Sequence, residues 1–137
     1  MSPAGGREAS AEPLLPAYGV VFRRYDGPVE VRSGEPFQAV ITLENAGWLP
    51  WDSRAEEPVL VAYHWLDASG RTVVQDGLRT PLPHVVNPGD SVEAVLRVQA
   101  PASSGALTLA VDLVHEGRAW FSDEGVVPMR KSVRVRE

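Results

Sequence analysis

Apolar and polar residues alternate with a period of two along much of this chain. From Tyr18 onward, short β-branched or aromatic runs are separated by clusters of Gly, Pro, Asn and Asp. This spacing is typical of an all-β protein, and no segment shows a helical period of convincing length. The pattern predicts strands at residues 19–24, 29–32, 37–45, 59–66, 72–75, 92–99, 107–115, 119–121 and 131–136.

Successive side chains of a strand point to opposite faces, so the alternation also predicts which residues form the core. The inward rows are Phe37, Ala39, Ile41 and Leu43; Val92, Ala94, Leu96 and Val98; Leu107, Leu109, Val111 and Leu113; and the shorter pair Val133 and Val135. Segment 59–66 is apolar on nearly both faces, which indicates a central strand. An inward Trp65 in that strand is typical of the middle of an immunoglobulin-like sandwich.

Turn-forming residues separate the predicted strands. The stretches DASGR (67–71) and NPGD (87–90) place Asx, Pro and Gly where the chain must reverse. The Pro-Gly pair of the second stretch is typical of the centre of a type II turn. Pro81 and Pro83 indicate an extended connection that crosses an end or edge of the sandwich.

Length and composition indicate one domain. The chain has 137 residues, enough for an ordinary core without metal or disulfide support. Residues 1–17 are mostly small, polar or Pro and Gly, so we expect a flexible segment or linker before a domain at 18–137. The chain has no cysteine, which excludes a disulfide framework, a zinc–thiolate site and a thiol nucleophile.

Charge and hydropathy narrow the range of partners. A formal net charge of −5 disfavours nucleic acid, whose phosphates require a basic surface. The first residues lack the pattern of a signal peptide, and no apolar run reaches the length of about 18 residues that indicates a membrane span. We therefore expect no nucleic-acid partner, no membrane insertion and, by default, a cytoplasmic location. The sequence leaves the oligomeric state open.

Histidine spacing argues against a metal site. His115 and Glu116 resemble the start of a zincin helix, but that motif requires a second histidine four residues after the first, where this chain has Ala119. The strands that hold His64 and His115 are predicted neighbours. However, the two residues have opposite phases in their strands and should face opposite sides of the sheet. We expect no bound metal.

Four acidic residues near one turn could in principle supply a general acid and base for hydrolysis. They are Asp112, Glu116, Asp123 and Glu124. The chain has no Gly-flanked Ser elbow, phosphate loop or dinucleotide fingerprint. We therefore predict no catalytic residue, no cofactor and no enzymatic activity within this chain.

Asp112 lies in the middle of a predicted strand among apolar residues. Burial of an unpaired carboxylate would cost several kcal/mol or force its protonation. We expect a partner, either Arg79 from the RTPLP segment or His64 from the adjacent strand. A structural ion pair is the favoured interpretation, and ligand recognition is the alternative.

Three tryptophans lie in or beside predicted loops. They are Trp48, Trp51 and Trp120. Exposed indoles could stack on sugar rings while Asp112 and Arg79 bind the hydroxyls, so these five residues form the candidate ligand-binding set. The alternative is that the indoles close the open ends of the sandwich. We favour that role for Trp51 and Trp120 and leave Trp48 undecided.

Basic residues are interleaved with valine near the C-terminus. They are Arg130, Lys131, Arg134 and Arg136. This pattern predicts the outward face of a strand, and we expect that strand to be a charged edge that resists aggregation. No aromatic residues alternate with the basic ones, as a site for single-stranded nucleic acid would require.

The motifs of the chain have a familiar order. ENAGWLPW, YHWLDASG, DGLRTPLP, VNPGD, QAPASSG, LAVDLVHEG and WFSDEG follow one another within about residues 28–136. In this order the sequence resembles an immunoglobulin-like accessory domain that is fused to bacterial glycosyltransferases and methyltransferases of surface-polysaccharide assembly. One residue departs from that pattern, because Leu107 stands where the family has a tyrosine whose hydroxyl could make a tyrosine-corner bond.

The resemblance implies a noncatalytic module, similar in architecture to the carbohydrate-binding domains of polysaccharide exporters. We therefore predict one immunoglobulin-like antiparallel β-sandwich of about seven to nine strands. Its expected partners are a glycan ligand and a fused or associated enzyme, in a bacterial source. The alternative is a protein–protein interaction or spacer domain, which would show an exposed apolar edge in place of a polar-rimmed aromatic cleft.

Overall fold

The computed structural model describes residues 15–137, so most of the predicted flexible segment 1–17 lies outside the described residues. Within the described range the chain forms ten strands and one short 3₁₀ helix. The strands are β1 (Val20–Asp26), β2 (Glu30–Arg32), β3 (Pro36–Asn45), β4 (Val59–Leu66), β5 (Thr72–Val74), β6 (Thr80–Pro81), β7 (Ser91–Gln99), β8 (Gly105–His115), β9 (Ala119–Trp120) and β10 (Met129–Arg136), and the 3₁₀ helix is Phe121–Glu124.

The strands form two sheets that pack face to face. The small sheet has the order β1-β3-β7, and the large sheet has the order β2-β10-β8-β4-β5, with β6 paired to β4 and β9 paired to β8. All pairs are antiparallel except β2 and β10, which run parallel. The chain passes from the small sheet to the large one between β1 and β2. This topology is that of an immunoglobulin-like β-sandwich, as predicted.

The predicted inward rows form the core. In the small sheet Ile41 lies opposite Ala94, and in the large sheet Val61 lies opposite Leu113. Phe37 is the exception, since it is only partly buried. The other members of the four rows, together with Val59, Val61, Tyr63 and Trp65 of β4, are buried.

Two aromatic side chains of β4 tie the sheets together. The indole nitrogen of Trp65 donates to the Gln99 carbonyl at 3.0 Å, and the Tyr63 hydroxyl accepts from the Gln99 amide at 2.8 Å. Buried Trp and Tyr need such partners for their polar atoms. The Tyr63 hydroxyl therefore joins the two sheets of this chain. Leu107, which stands where the resembling family has a tyrosine, cannot make such a bond.

The prediction that the basic strand near the C-terminus is an edge was wrong. β10 pairs with β8 from Met129 to Val135, and its last three residues also pair with β2. The outer position belongs to β2, which has three residues. A strand this short carries too little alternation to reveal its pairing, so the sequence pattern could not place it beside β10.

Two further local differences involve short elements. The two-residue strand β6 was not predicted, because proline residues there weaken the strand signal. Predicted strand 119–121 ends at Trp120, and Phe121 begins the 3₁₀ helix. Gly125 ends that helix with φ 92°, and its backbone amide donates to the Phe121 carbonyl.

Asn45 organises one end of the sandwich, where residues 45–58 connect β3 to β4. We call this segment the loop end. The Asn45 amide nitrogen donates to the carbonyls of Leu49 and Val86 at 2.9 and 3.0 Å, and its amide oxygen accepts from the Gly47 backbone amide at 3.0 Å. The side chain is fully buried. Since one residue satisfies three backbone groups, the loop has one preferred conformation.

We predict that Asn45→Ala lowers the free energy of unfolding by about 2–4 kcal/mol, because it leaves buried backbone groups without partners. Urea denaturation measures the change. Gln38→Ala, at an exposed position of the same strand, is the matched control and should stay within about 0.5 kcal/mol of wild type. An equally small effect of Asn45→Ala would contradict the structural role of this side chain.

Candidate functional site

A polar cluster lies on the outer face of the large sheet. In the register of β4 with β8, His64 is opposite Ala110 and Ala62 is opposite Asp112. His64 and Asp112 are therefore diagonal neighbours on one face, a separation that long side chains can bridge. His64 Nε2 lies 2.8 Å from Asp112 Oδ2.

Both members of this pair are buried and fully hydrogen-bonded. Asp112 is 0% exposed and His64 is 6% exposed. Asp112 Oδ1 accepts from the Leu113 backbone amide at 2.7 Å, and His64 Nδ1 donates to the Gln75 carbonyl at 2.5 Å. A carbonyl only accepts, so Nδ1 carries a proton, and Nε2 carries one as well when Asp112 is ionised. The geometry thus fits an imidazolium–carboxylate pair.

The surroundings of His64 favour its charged form. Burial lowers the pKa of the ring, but its hydrogen bonds to Asp112 and to the Gln75 carbonyl outweigh this effect. The negative charges of Asp112 and Asp76 act in the same direction, so the pKa of His64 is raised above its ordinary value. With both nitrogens engaged, the ring has no free site for a metal ion or for a proton of a substrate.

Trp120 covers the ion pair. The register of β9 with β8 places Trp120 opposite Val114 and so directs its indole to the outer face. The indole lies with its centroid 4.5 Å from that of the His64 ring, and the guanidinium carbon of Arg79 lies 4.7 Å from the Trp120 ring centroid. The indole therefore contacts an imidazole and a guanidinium, an arrangement that stabilises both cations.

Arg79 completes the stack and is itself held in place. Its Nε donates to Glu116 Oε2 at 2.9 Å, and its other two nitrogens donate to the Gly77 carbonyl at 2.9 Å and to Asp76 Oδ1 at 3.1 Å. Partial burial lowers the pKa of Arg79, but the hydrogen bonds to Glu116 and Asp76 outweigh it, and the net pKa is raised. All three nitrogens of this guanidinium have partners within the domain.

The structure brings together three of the five candidate ligand-binding residues, namely Arg79, Asp112 and Trp120. Of the two partners expected for Asp112, the structure selects His64, while Arg79 binds Glu116 and Asp76. We predicted that Trp120 closes an end of the sandwich, and this prediction was wrong. Trp120 lies on the outer face because β9 pairs with β8 in a register that directs its side chain there.

The other two tryptophans lie at the loop end. Trp51 is completely buried, with its ring centroid 6.2 Å from that of Phe121, which agrees with the closing role favoured for it and leaves its indole inaccessible to a ligand in this structure. The Trp51–Phe121 contact is the one that closes the sandwich end. Trp48 is 57% exposed, which leaves its indole accessible to a partner.

The same outer face carries a groove that the sequence prediction missed. This outer-face groove has a volume of about 470 Å³, and it is lined by Val29, Ala68, Ala106, Leu107, Thr108, Ser132, Val133 and Arg134. Its floor consists of the small or polar outward residues of β8 and β10, where Thr108 pairs with Ser132 and Ala106 with Arg134. Small outward side chains in two adjacent strands were a signal that could have predicted it.

The groove leads toward the ion-pair cluster. The next outward residue of β8 after Thr108 is Ala110, which lies between His64 of β4 and Arg130 of β10. A step of two residues along an antiparallel strand is about 7 Å. The His64–Trp120 stack therefore stands just beyond one end of the groove, and it fixes the side chains on that part of the sheet.

A second concavity, of about 600 Å³, opens at the end of the sandwich beside Ala55, Glu56, Glu57 and His115. His115 Nδ1 is hydrogen-bonded to the Tyr18 hydroxyl at 2.8 Å. The His115 side chain lies on the inner face of the large sheet, whereas His64 lies on the outer face. Glu57 forms a salt bridge with Arg118 at 2.8 Å. Within residues 15–137 no three His, Asp or Glu side chains are grouped to hold a metal ion.

Comparison with other proteins supports the fold. No protein-family model matches the chain, and no curated protein sequence matches it. An alkylpurine DNA glycosylase from Pseudomonas fluorescens, solved bound to DNA containing an abasic site analog, matches 88% of this chain with a TM-score of 0.53 and 13% identity. The match covers 31% of the glycosylase, so this chain corresponds to about a third of that protein. At this identity the likeness extends to the fold alone.

Two other solved structures have lower similarity. The CARDB domain of a Pyrococcus furiosus protein has a TM-score of 0.48 and 16% identity, and the match covers 90% of this chain and 98% of that domain. A β-glucosidase from Listeria innocua, solved in complex with glucose, has a TM-score of 0.47 and 10% identity, with 86% of this chain and 16% of that enzyme covered. In the part of the chain that the structure describes, no helix is long and apolar enough to span a membrane.

The raised pKa of His64 predicts that stability falls as pH rises. The unfolded histidine titrates near pH 6.5, and the folded protein keeps the proton to higher pH. The pair therefore contributes its full stability below pH 6.5 and loses it as pH rises through the folded pKa. Urea unfolding between about pH 5 and about pH 9 should show this decline in wild type and not in His64→Gln. His84→Gln, at an exposed loop position, should keep the wild-type dependence.

Asp112→Asn tests the other partner, because it retains the shape of the side chain and removes its charge. We expect the unfolding free energy to fall by about 2–4 kcal/mol near neutral pH and the His64 pKa to move down. NMR titration of the His64 ring, combined with thermal melting, measures both effects. Asp26→Asn, at an exposed position in β1, is the matched control. Unchanged melting and an unchanged His64 titration in Asp112→Asn would show that the pair is not an ion pair.

Proposed function

We propose that this domain is a noncatalytic module that binds a saccharide in the outer-face groove and works beside a larger enzyme. The observation that supports the proposal best is the groove itself. It is a concave surface of about 470 Å³ on a rigid sheet, a size within the range of about 300–1,000 Å³ typical of small-ligand sites.

The chemistry of the groove suits a sugar ring. Thr108 and Ser132 offer hydroxyls, and Arg134 offers several N–H donors, for the polar edge of the ring. Ala106 and Val29 offer apolar surface for its C–H faces. Because the floor is made of short side chains on paired strands, little conformational entropy is lost on binding.

The hydrogen bonding of the ion-pair cluster supports a noncatalytic role. A general acid or base must reach its substrate with a free nitrogen or oxygen. Both nitrogens of His64 and both oxygens of Asp112 are engaged within the domain, and so are the nitrogens of Arg79. The cluster supports the sheet beside the groove and leaves no reactive group directed into it.

The proposed association with a larger enzyme is supported by the ordered motifs ENAGWLPW to WFSDEG, which resemble the accessory domains of polysaccharide-assembly enzymes. A binding module beside such an enzyme would hold the polymer near the catalytic site and raise its local concentration.

A protein-interaction role is the second candidate, and Trp48 is the observation that favours it. Its indole is 57% exposed on a loop that Asn45 holds in one conformation. Its backbone amide donates to the Pro16 carbonyl at 2.9 Å, so it lies beside the start of the described chain, where Leu15 is also exposed. Exposed aromatic side chains on fixed loops are typical anchors of protein interfaces.

A steric block separates the two candidates. Ser132→Trp should fill the groove and abolish saccharide binding, whereas Trp48→Ala should leave it intact. Binding is measured by screening wild type against bacterial polysaccharide fragments and then by calorimetry with the best fragment. Gln38→Trp, the same enlargement at an exposed position of the small sheet, is the matched control and should bind like wild type.

Thermal melting of each variant shows whether a loss of binding is caused by a loss of folding. Loss of binding in Trp48→Ala together with normal binding in Ser132→Trp would show that the saccharide binds at the loop end and not in the groove. The absence of binding to any fragment at millimolar concentration would refute the saccharide proposal and leave the protein-interaction role.

A further inference from the structure

Positive charge is concentrated along one side of the outer-face groove. The charged outward residues of β2 and β10 form a strip of four arginines and one acid, namely Arg32, Arg130, Arg134, Arg136 and Glu30. The whole chain has a net charge of −5. A basic strip in an acidic protein is a local feature that overall composition does not predict.

Only part of this charge is neutralised within the domain. Glu30 forms a salt bridge with Arg136 at 3.0 Å, and both side chains are about half exposed. Arg130 and Arg134 form no salt bridge with any residue in the range 15–137. They point to the same face of one strand, four residues or about 13 Å apart, with Ser132 between them.

The groove lies directly beside these two side chains. Arg134 is part of its lining, opposite Ala106, while Arg130 is opposite Ala110 at the end toward the His64–Trp120 stack. A ligand that follows the groove along the strands would therefore pass Arg134 first and Arg130 next. Glu30 lies opposite Arg134 in the register of β2 with β10, but its salt bridge is with Arg136. An anionic group in the groove would therefore meet guanidinium donors that no salt bridge within residues 15–137 engages.

We propose that the saccharide of this site is acidic and that Arg134 and Arg130 select it by binding carboxylate or phosphate groups on successive sugar residues. This inference rests on the saccharide-binding function proposed above and adds the chemical class of the ligand. A guanidinium binds a carboxylate through two parallel hydrogen bonds, which gives both strength and orientation.

An acidic glycan fits this face better than a single-stranded nucleic acid. Nucleic acid binding of that kind needs aromatic rings on which bases stack. None of the residues that line the groove is aromatic, and Trp120 beyond its end already contacts the His64 ring and the Arg79 guanidinium. The groove floor offers only short side chains, which accept a sugar ring and give a base no stacking surface.

Paired polysaccharides test the inference directly. Oligomers of polygalacturonate, alginate and hyaluronate are compared with their methyl esters, which keep the backbone and lose the charge. At least one acidic oligomer should bind, and the affinity of its methyl ester should be lower by about tenfold or more. The loss of one charge-assisted hydrogen bond accounts for a change of that size. Binding of the acid should also weaken as salt is raised.

Arginine variants locate the charge that matters. Arg134→Gln should weaken acid binding about tenfold, and Arg130→Gln should weaken it for oligomers long enough to reach both positions. Neither should change binding of a neutral ester. Arg24→Gln, an exposed arginine of the small sheet that lies near Asp26, is the matched control and should leave acid binding unchanged.

The outcomes separate this inference from the proposed function. Equal affinity for acids and esters, with binding still abolished by Ser132→Trp, would overturn the acidic preference and leave the saccharide site in place. Failure of every saccharide, acidic or neutral, would overturn both. Tighter, arginine-dependent binding of an RNA or DNA oligomer would replace the acidic glycan with nucleic acid.

Discussion

The structure depends on one constraint, which is that alternate side chains of the strands enter a single dry interior. Pairs such as Ile41 with Ala94 and Val61 with Leu113 set the register of the two sheets. A shift of one residue would expose the apolar row and bury the polar one, so the register is strongly specified. The register that builds the core therefore also decides which side chains reach the outer face.

The outer face shows what this constraint requires. Asp112 is directed away from the core and is nevertheless completely buried, beside a His64 ring that Trp120 and Arg79 stack upon in turn. A buried charge is tolerated only when its partners are all in place. His64 and the Leu113 amide bind the two oxygens of Asp112, and the Gln75 carbonyl binds the other nitrogen of His64. The indole of Trp120 packs against the His64 ring. The stretch DLVHEGRAW is thus a strand, a turn and a returning strand whose polar residues stabilise the sheet.

This cluster and the groove divide the outer face between them. At one end the nitrogens of His64 and Arg79 and the oxygens of Asp112 are all hydrogen-bonded within the domain. At the other end short side chains leave a concavity with hydroxyl and guanidinium groups at its edge. A rigid support beside an open, polar concavity is the arrangement that a binding site needs, because preorganised groups lose little entropy when a ligand binds. The basic strip along β10 gives this concavity a charge preference that the acidic chain as a whole does not have.

The alternation along single strands predicts the sandwich, the inward rows except for Phe37, and the need for a partner at Asp112. It also indicated that His64 and His115 lie on opposite faces. It did not determine that β10 is an inner strand, that Trp120 covers His64 while Trp51 is buried, or that Ala106, Thr108 and Ser132 together form a groove. Those features depend on which strands are neighbours and on how turns place their ends. Pairing of distant segments is a property of the tertiary structure, because the period of a strand fixes the direction of its side chains and leaves its neighbours unspecified.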